Sequence, residues 1–359
     1  MRNILVICPY PVGVAAGQRL KYEQYFDNWN NNGYQVVVSP FMDERMWNVV
    51  HKKGDFLLKV VGTLKGCLNR IKDIRTLKEY DLVYVFMWVT PFGGTLFERI
   101  FRFFSKKIIF DIEDSVDTAV KNSINPILSF FRGRYSKAHY LIKHSDHVIS
   151  SSPFLNDYCL KLNKKRKSTY ISSSINTQRF IPINKYKNDH KVVIGWTGTF
   201  TSIKYLNLLR EVFIELAKCC EYKLLVIGNF KYHIPGVDVE TIEWTLKNEV
   251  KDLQRIDIGI YPLDTGDWVL GKSGLKVIQY MSFGLPTIST DIGTTKKIVS
   301  HMENGILVKT DEEWLFFLKL LINDNVLRKN LGLSALKVAL SRYSQEAIAP
   351  KYLTILNKE

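Results

Sequence analysis

Apolar runs that end in a glycine-bearing loop and pass straight into a helical pattern constrain this chain most, because they recur in both halves. In the first half NILVI (residues 3–7) runs into CPYPVGVAAGQR, which places Gly13 and Gly17 ahead of a helix beginning near Gln18. In the second half VVIGWTGT (192–199) repeats the pattern, and IDIGIYPL (256–263) leads on to GKSG (271–274) and then LKVIQYMS. Short, continuous apolar runs bounded by turn residues are what strands buried on both faces of a parallel sheet look like. Strand, glycine loop and helix together form the unit of a doubly wound α/β sheet. A chain of 359 residues exceeds one ordinary core, so the recurrence predicts two Rossmann-like domains. The spacing GxGxxG is absent, which excludes a dinucleotide fingerprint.

Further strands are expected at 33–41, 81–88, 106–115, 222–230, 239–244 and 287–290, and within 144–159. Helices are expected at 309–324 and 325–342. The polar run IPINKYKNDHK (181–191) reads as the linker between domains.

The stretch GKSGLKVIQYMSFGLPTIST (271–290) carries the sharpest chemical signal. Leu275, Ile278 and Met281 fall at helical spacing, and Gly284 and Pro286 end the helix. Gly271, Lys272, Ser273 and Gly274 therefore stand where a strand hands over to a helix. Such a place offers backbone N–H groups and the positive end of a helix dipole. Lys272 and Lys276 are four apart, a spacing that puts both on one side of the helix start. Two cations over a helix N-terminus suit a diphosphate; the plainer reading is a glycine turn with two solvated lysines.

In the first half, KKIIFDIEDS (106–115) leads into an acidic cluster of Asp111, Glu113, Asp114 and Asp117. Ligands bind at the carboxyl ends of strands in doubly wound sheets, so these acids are candidates for chemistry. Asp114 or Ser115 also suits a helix N-cap. Three acids on one turn do not define a divalent-cation site.

The 271–290 stretch resembles the donor-binding segment of retaining, GT-B-fold glycosyltransferases of the family 4 type. There a helix carries a glutamate, then a small residue, Met and a Gly-x-Pro turn. Here Gln279, Tyr280, Met281, Ser282, Phe283, Gly284, Leu285 and Pro286 match that frame. The family's two glutamates, eight positions apart, fall on Gly271 and Gln279, so the chain looks like a branch with GKxGxK…QYM in their place. The segments around 144–159 and 170–180 also resemble the family.

The resemblance implies an α/β, GT-B architecture, with two Rossmann-like domains facing each other across a cleft. It divides the chain into an acceptor-binding domain (1–180), a nucleotide-sugar-binding domain (181–343) and a final helix (344–359) crossing back to the first domain. Gly13, Gly17, Gln18 and Arg19 then lie in the loop beside the donor phosphates and acceptor. Gly198, Thr199 and Lys204 approach the phosphates from the second domain, with Gly271, Lys272, Ser273, Gly274 and Lys276. Gln279 hydrogen-bonds a ribose hydroxyl, since an amide both donates and accepts. Lys272, Asp111, Glu113 and Asp114 are the expected catalytic groups. DTGDW (264–268) faces the cleft. No metal or other cofactor is required, and the donor is a nucleoside-diphosphate sugar, UDP-linked by preference.

Charge bears on partners. Residues 1–180 carry 27 Lys+Arg against 15 Asp+Glu, whereas the remainder carries 23 against 20. The basic excess of the first half suits an anionic partner. The stretch 50–79 places Phe56, Leu57, Val60, Val61, Leu64, Leu68 and Ile71 among Lys52, Lys53, Lys59, Lys65, Arg70, Lys72 and Arg75. Such a pattern fits an interfacial amphipathic helix or a core-facing helix with a wet basic face. Basic aromatic runs follow at 99–107 and 130–137, and KKRK at 164–167. No helix-turn-helix, finger or RNP pattern occurs, which argues against nucleic acid. No apolar run reaches the roughly 18 residues of a membrane span, and the chain enters a strand with no signal peptide ahead of it. Five cysteines without metal or paired spacing fit a reducing cytoplasm.

The expectation is a glycosyltransferase at the inner face of the cell membrane, with a lipid-linked or polysaccharide acceptor. Two other readings remain open: a catalytically silent glycosyltransferase-like subunit, and a sugar-nucleotide epimerase of the same fold.

Overall fold

The computed structural model describes residues 1–50, 52–91, 94–113, 134–183 and 191–358. Asp114, Ser115 and Asp117 lie outside the described residues. The chain forms two compact units: Met1–Ser172 with Leu270–Ser273 and Ala349–Glu359, and Ser173–Val269 with Gly274–Ile348.

The first unit holds a six-stranded, all-parallel sheet. Its strands are β1 (Arg2–Cys8), β2 (Tyr34–Pro40), β3 (Leu82–Phe86), β4 (Ile108–Ile112), β5 (His147–Ser150) and β6 (Ser168–Tyr170), ordered β2-β1-β3-β4-β5-β6. β1 and β3 read as near-continuous apolar runs because helices cover both faces, and β4 breaks its run only at Asp111. Leu5, Ile7, Val83, Val85, Ile108, Phe110 and Val148 form one buried core with Phe101, Leu141 and Leu155. The strand order reverses between β1 and β3.

The second unit repeats the plan with β7 (Val192–Thr197), β8 (Tyr222–Gly228), β9 (Val239–Glu243), β10 (Ile258–Tyr261), β11 (Thr287–Thr290) and β12 (Ile306–Val308). Their order is β12-β11-β10-β7-β8-β9, again all parallel. It reverses between β7 and β10, which is where a doubly wound sheet opens a crevice at its carboxyl end.

β6 and β12, three residues each, escape the sequence pattern because such short edge strands show no period. The helix expected at 309–324 spans Asp311–Asn323 and opens on a capping box between Thr310 and Glu313. The expected final helix spans Gln345–Asn357. Within the first unit its Tyr352 packs beside Tyr25 and Trp29 and donates its hydroxyl to the Lys21 carbonyl.

Candidate functional site

The second unit assembles its candidate site where β7 and β10 part. β10 ends at Tyr261, and the helix Leu275–Ser282 follows. Gly274 starts that helix at φ 72°, a backbone state glycine adopts without strain, and no side chain caps the helix. That left-handed residue corrects one expectation. Helical spacing does not relate Lys272 to Lys276, because the helix begins only at Leu275 and Lys272 precedes the break. The run Leu270–Ser273 clusters with the first unit instead; there Ser151 Oγ donates to the Gly271 carbonyl at 3.4 Å.

Lys276 stands in the first turn, half-buried, with its ammonium 5.5 Å from the centre of the Tyr261 ring. Lys204 projects from the helix Ile203–Leu206 that follows the β7 loop. Its Nζ lies 3.8 Å from Asp264 Oδ2 and 4.7 Å from the Tyr205 ring. Lys204 is exposed and Asp264 partly so, and at 3.8 Å their attraction is weak. Thr199 shares a 2.8 Å hydrogen bond with Thr201. Gln279 is buried.

Close approach of backbone explains the glycines here. A Cβ on Gly259 would stand 2.5 Å from the Tyr280 ring, and one on Gly198 2.3 Å from the Trp196 ring. Tyr280 therefore packs directly against Gly259 of β10, and its hydroxyl accepts the Thr197 backbone N–H at 3.1 Å. Burial pushes the Tyr280 phenol up, beyond the usual tyrosine range. Thus Gly198, Thr199, Lys204, Gly274, Lys276 and Gln279 all belong to the second unit. Sequence reasoning passed over Tyr280 and Tyr261. The available signal was an aromatic ring set against Gly259 in the neighbouring strand.

In the first unit the loop after β1 is held by side chains. Gln18 both donates to the Tyr10 carbonyl and accepts its N–H, at 3.1 and 3.0 Å, and donates to Glu23 at 2.8 Å. Glu23 in turn accepts the Gly13 N–H at 2.8 Å. Burial raises the Glu23 carboxyl, while that N–H, Gln18 and Arg19 pull it back. Glu113 Oε2 stands 2.5 Å from where a Gly17 Cβ would be, so loop and acidic turn meet at Gly17. Asp111 differs from the expectation for the acidic turn. It lies inside β4 with no exposed surface, accepting from Lys21 Nζ and the Tyr84 hydroxyl. Burial raises its carboxyl, and Lys21 opposes that. Its inward direction follows from strand alternation, which aims every second side chain at the same face.

Among the described residues no group of three or more His, Cys, Asp or Glu side chains could hold a metal ion.

Residues 191–323 match the model of the family described as "Glycosyl transferases group 1". Comparison with curated proteins gives no match. Among solved structures, sucrose-phosphate synthase from Thermosynechococcus elongatus superposes with a TM-score of 0.72 at 16% identity, covering 99% of this chain and 98% of that one. A glycosyltransferase from Rickettsia africae gives 0.68 at 13% identity, covering 100% of each chain. HepE from Anabaena, in complex with UDP-glucose, gives 0.65 at 12%, covering 99% of each.

The chain has the GT-B fold. With a group 1 domain over 191–323, it is a glycosyltransferase.

Proposed function

We propose that this chain moves a sugar from a nucleoside-diphosphate sugar, UDP-linked by preference, to a lipid-linked or polysaccharide acceptor of bacterial surface glycan synthesis, with retention at the anomeric carbon. The proposal includes membership of the family 4-like branch with GKxGxK…QYM. The observation that carries it is the uncapped, glycine-started helix with Lys276 in its first turn, which falls inside the 191–323 match. HepE, whose structures hold UDP-glucose and UDP, supports the choice of nucleotide.

As the glycosidic bond breaks, negative charge grows on the departing diphosphate. Lys276, the start of its helix and the Gly198–Thr199 loop meet that charge, with Lys204 at the rim and Lys272, Gly271 and Ser273 supplied by the preceding run. Lys272 neutralises the leaving oxygen. Gln279 orients the ribose. This set carries the charge without a metal. Residues 1–180 bind the acceptor, with Gly13, Gly17 and Arg19 in the loop beside the phosphates and Glu113 and Asp114 at the acidic turn. Asp111 acts by holding Lys21. Residues 181–343 bind the donor, and 344–359 return to the first domain. The chain works as a peripheral protein on the anionic inner face of the membrane. Among the described residues no helix is long and apolar enough to cross a membrane.

A thermal-shift panel of UDP, GDP, CMP and their sugars tests the donor site, because a ligand bound only by the folded chain raises its melting temperature. UDP and a UDP-sugar are expected to give the largest rise. A panel with no rise from any nucleotide overturns the proposal. Gly271 and Gln279, standing where the family has glutamates, favour a second reading: a silent subunit that binds nucleotide without turnover. Release of UDP from a UDP-sugar decides between them.

A further inference from the structure

The helix Phe56–Thr76 is turned the wrong way round for a core helix. The side it presses on the first unit carries Gly62, Gly66 and Arg70. A Cβ on Gly66 would lie 2.6 Å from the Phe41 carbonyl oxygen, and one on Gly62 2.7 Å from Met46 Sδ. Arg70 is fully buried and donates to the carbonyls of Val89, Ser39 and Cys8 and to Asp73. The apolar side chains point the other way. Phe56 is 80% exposed, Leu57 75%, Val61 52%, Leu64 61% and Leu68 58%, with Ile71 also exposed. At 100° per residue, positions 57, 61, 64, 68 and 71 form one stripe opposite Gly66.

Water around a continuous stripe of this size is costly, so the stripe marks a docking surface. Charge identifies the occupant. Lys72 borders the stripe, Arg75 continues it, Lys65 borders it while paired to Asp43 Oδ2 at 2.8 Å, and Lys52 and Lys53 are exposed just ahead of the helix. The only acid within the helix, Asp73, turns inward to Arg70. A second copy of this chain would set cation against cation. An anionic bilayer complements both features, with headgroups at the lysines and acyl chains at the leucines.

We infer that Phe56–Thr76 is the membrane-docking element: it lies in the interface plane with Leu57, Val61, Leu64 and Leu68 below the headgroups. The inference rests on the reading of the chain as peripheral on an anionic membrane, and it adds apolar insertion to charge attraction.

Co-sedimentation of the full chain with vesicles of phosphatidylcholine, alone or mixed with phosphatidylglycerol, tests it. Wild type is expected to bind the mixed vesicles better. The Leu64→Glu/Leu68→Glu variant is expected to bind them roughly tenfold or more weakly, with its melting temperature unchanged because both side chains already face water. Lys65→Gln/Lys72→Gln is expected to weaken binding and flatten its salt dependence. If the Leu64→Glu/Leu68→Glu variant binds like wild type, the helix is not the docking element and the membrane reading stands on charge alone. If wild type binds neither vesicle, both fall. A wild-type dimer by sedimentation velocity that dissociates in this variant makes the face a protein contact and overturns the inference.

Discussion

Compare the two sheets at the carboxyl halves of their central strands. In the first unit that region is filled by Lys21, Asp111 and Tyr84, all without exposed surface, with Arg70 and the Glu98–Lys137 pair buried beside neighbouring elements. In the second it is filled by glycines and two rings: Gly259 lets Tyr280 lie on β10, and Gly198 packs against Trp196. The described charged residues buried in the second unit, Glu249 and Asp252, both sit on the helix Glu249–Leu253. One topology is thus closed by paired charges in one copy and by close backbone approach in the other. Paired charges fix a unique arrangement but leave no room for a ligand's charge. On the proposed function, the incoming anion is taken up at the start of the helix Leu275–Ser282.

Removing one partner of the paired set is expected to have the largest effect. Asp111→Ala leaves Lys21 charged and buried, and is expected to destabilise the chain by about 3–5 kcal/mol, read from urea unfolding. Asp111→Leu/Lys21→Met is expected to recover most of that loss, since replacing both charges removes the stranded one. If the single variant is as stable as wild type, the contrast between the units fails.

The next effect is on binding. On the proposed function, Lys276→Ala removes a charge-assisted hydrogen bond to phosphate, a contact that contributes about 1.5–3 kcal/mol. Affinity for UDP by isothermal titration is expected to drop about tenfold or more. Stability is expected to stay within about 0.5 kcal/mol, because Lys276 is a partly solvated lysine at a helix start. A loss of stability without a loss of affinity would make Lys276 structural.

Gly259→Ala tests the glycine side. Its new Cβ meets the Tyr280 ring, and such overpacking costs about 1–3 kcal/mol. Displacing Tyr280 also releases the Thr197 N–H, so UDP affinity is expected to fall with stability.

The contrast explains what was legible in the sequence. Strands β1, β3, β4, β7, β8 and β10 were readable because burial on both faces demands mostly apolar runs, and β11 because it follows the helix stop at Gly284 and Pro286. The Gly271–Gly274 turn was readable because glycine and lysine announce backbone strain and charge in the letters themselves. Asp111 was not, because its pairing with Lys21 spans 90 positions and its direction depends on one-residue strand alternation. Nor was the break at Gly274, since lysines four apart look alike whether a helix begins before or after the first. Phe56–Thr76 misleads in another way. An apolar stripe reads the same whether it faces core or solvent, and only the contacts of Gly62 and Gly66 show which side is inward.

The last expected effect sharpens the comparison through acid. His147 opens β5 and is buried, with Nε2 2.9 Å from Thr169 Oγ1. Burial first, and then the cations of Lys358, Lys167 and Lys107, depress its imidazole from 6.5 to about 4. The folded chain therefore resists a proton that the unfolded chain accepts. Above pH 6.5 the ring is neutral in both states and its contribution to stability is fully present. As pH falls from 6.5 towards about 4 the unfolded state takes up the proton first, so that contribution is progressively lost. His144, lowered by burial and by Lys164 and Lys143, adds a slope of the same sign. His147→Gln keeps a neutral group beside Thr169 and removes the titration. Its urea midpoint is expected to fall less steeply than that of wild type across this window, with the two curves parallel above pH 6.5. Parallel curves throughout would mean that His147 accepts its proton as readily in the folded chain as in the unfolded one. The first unit would then owe none of its acid sensitivity to this ring.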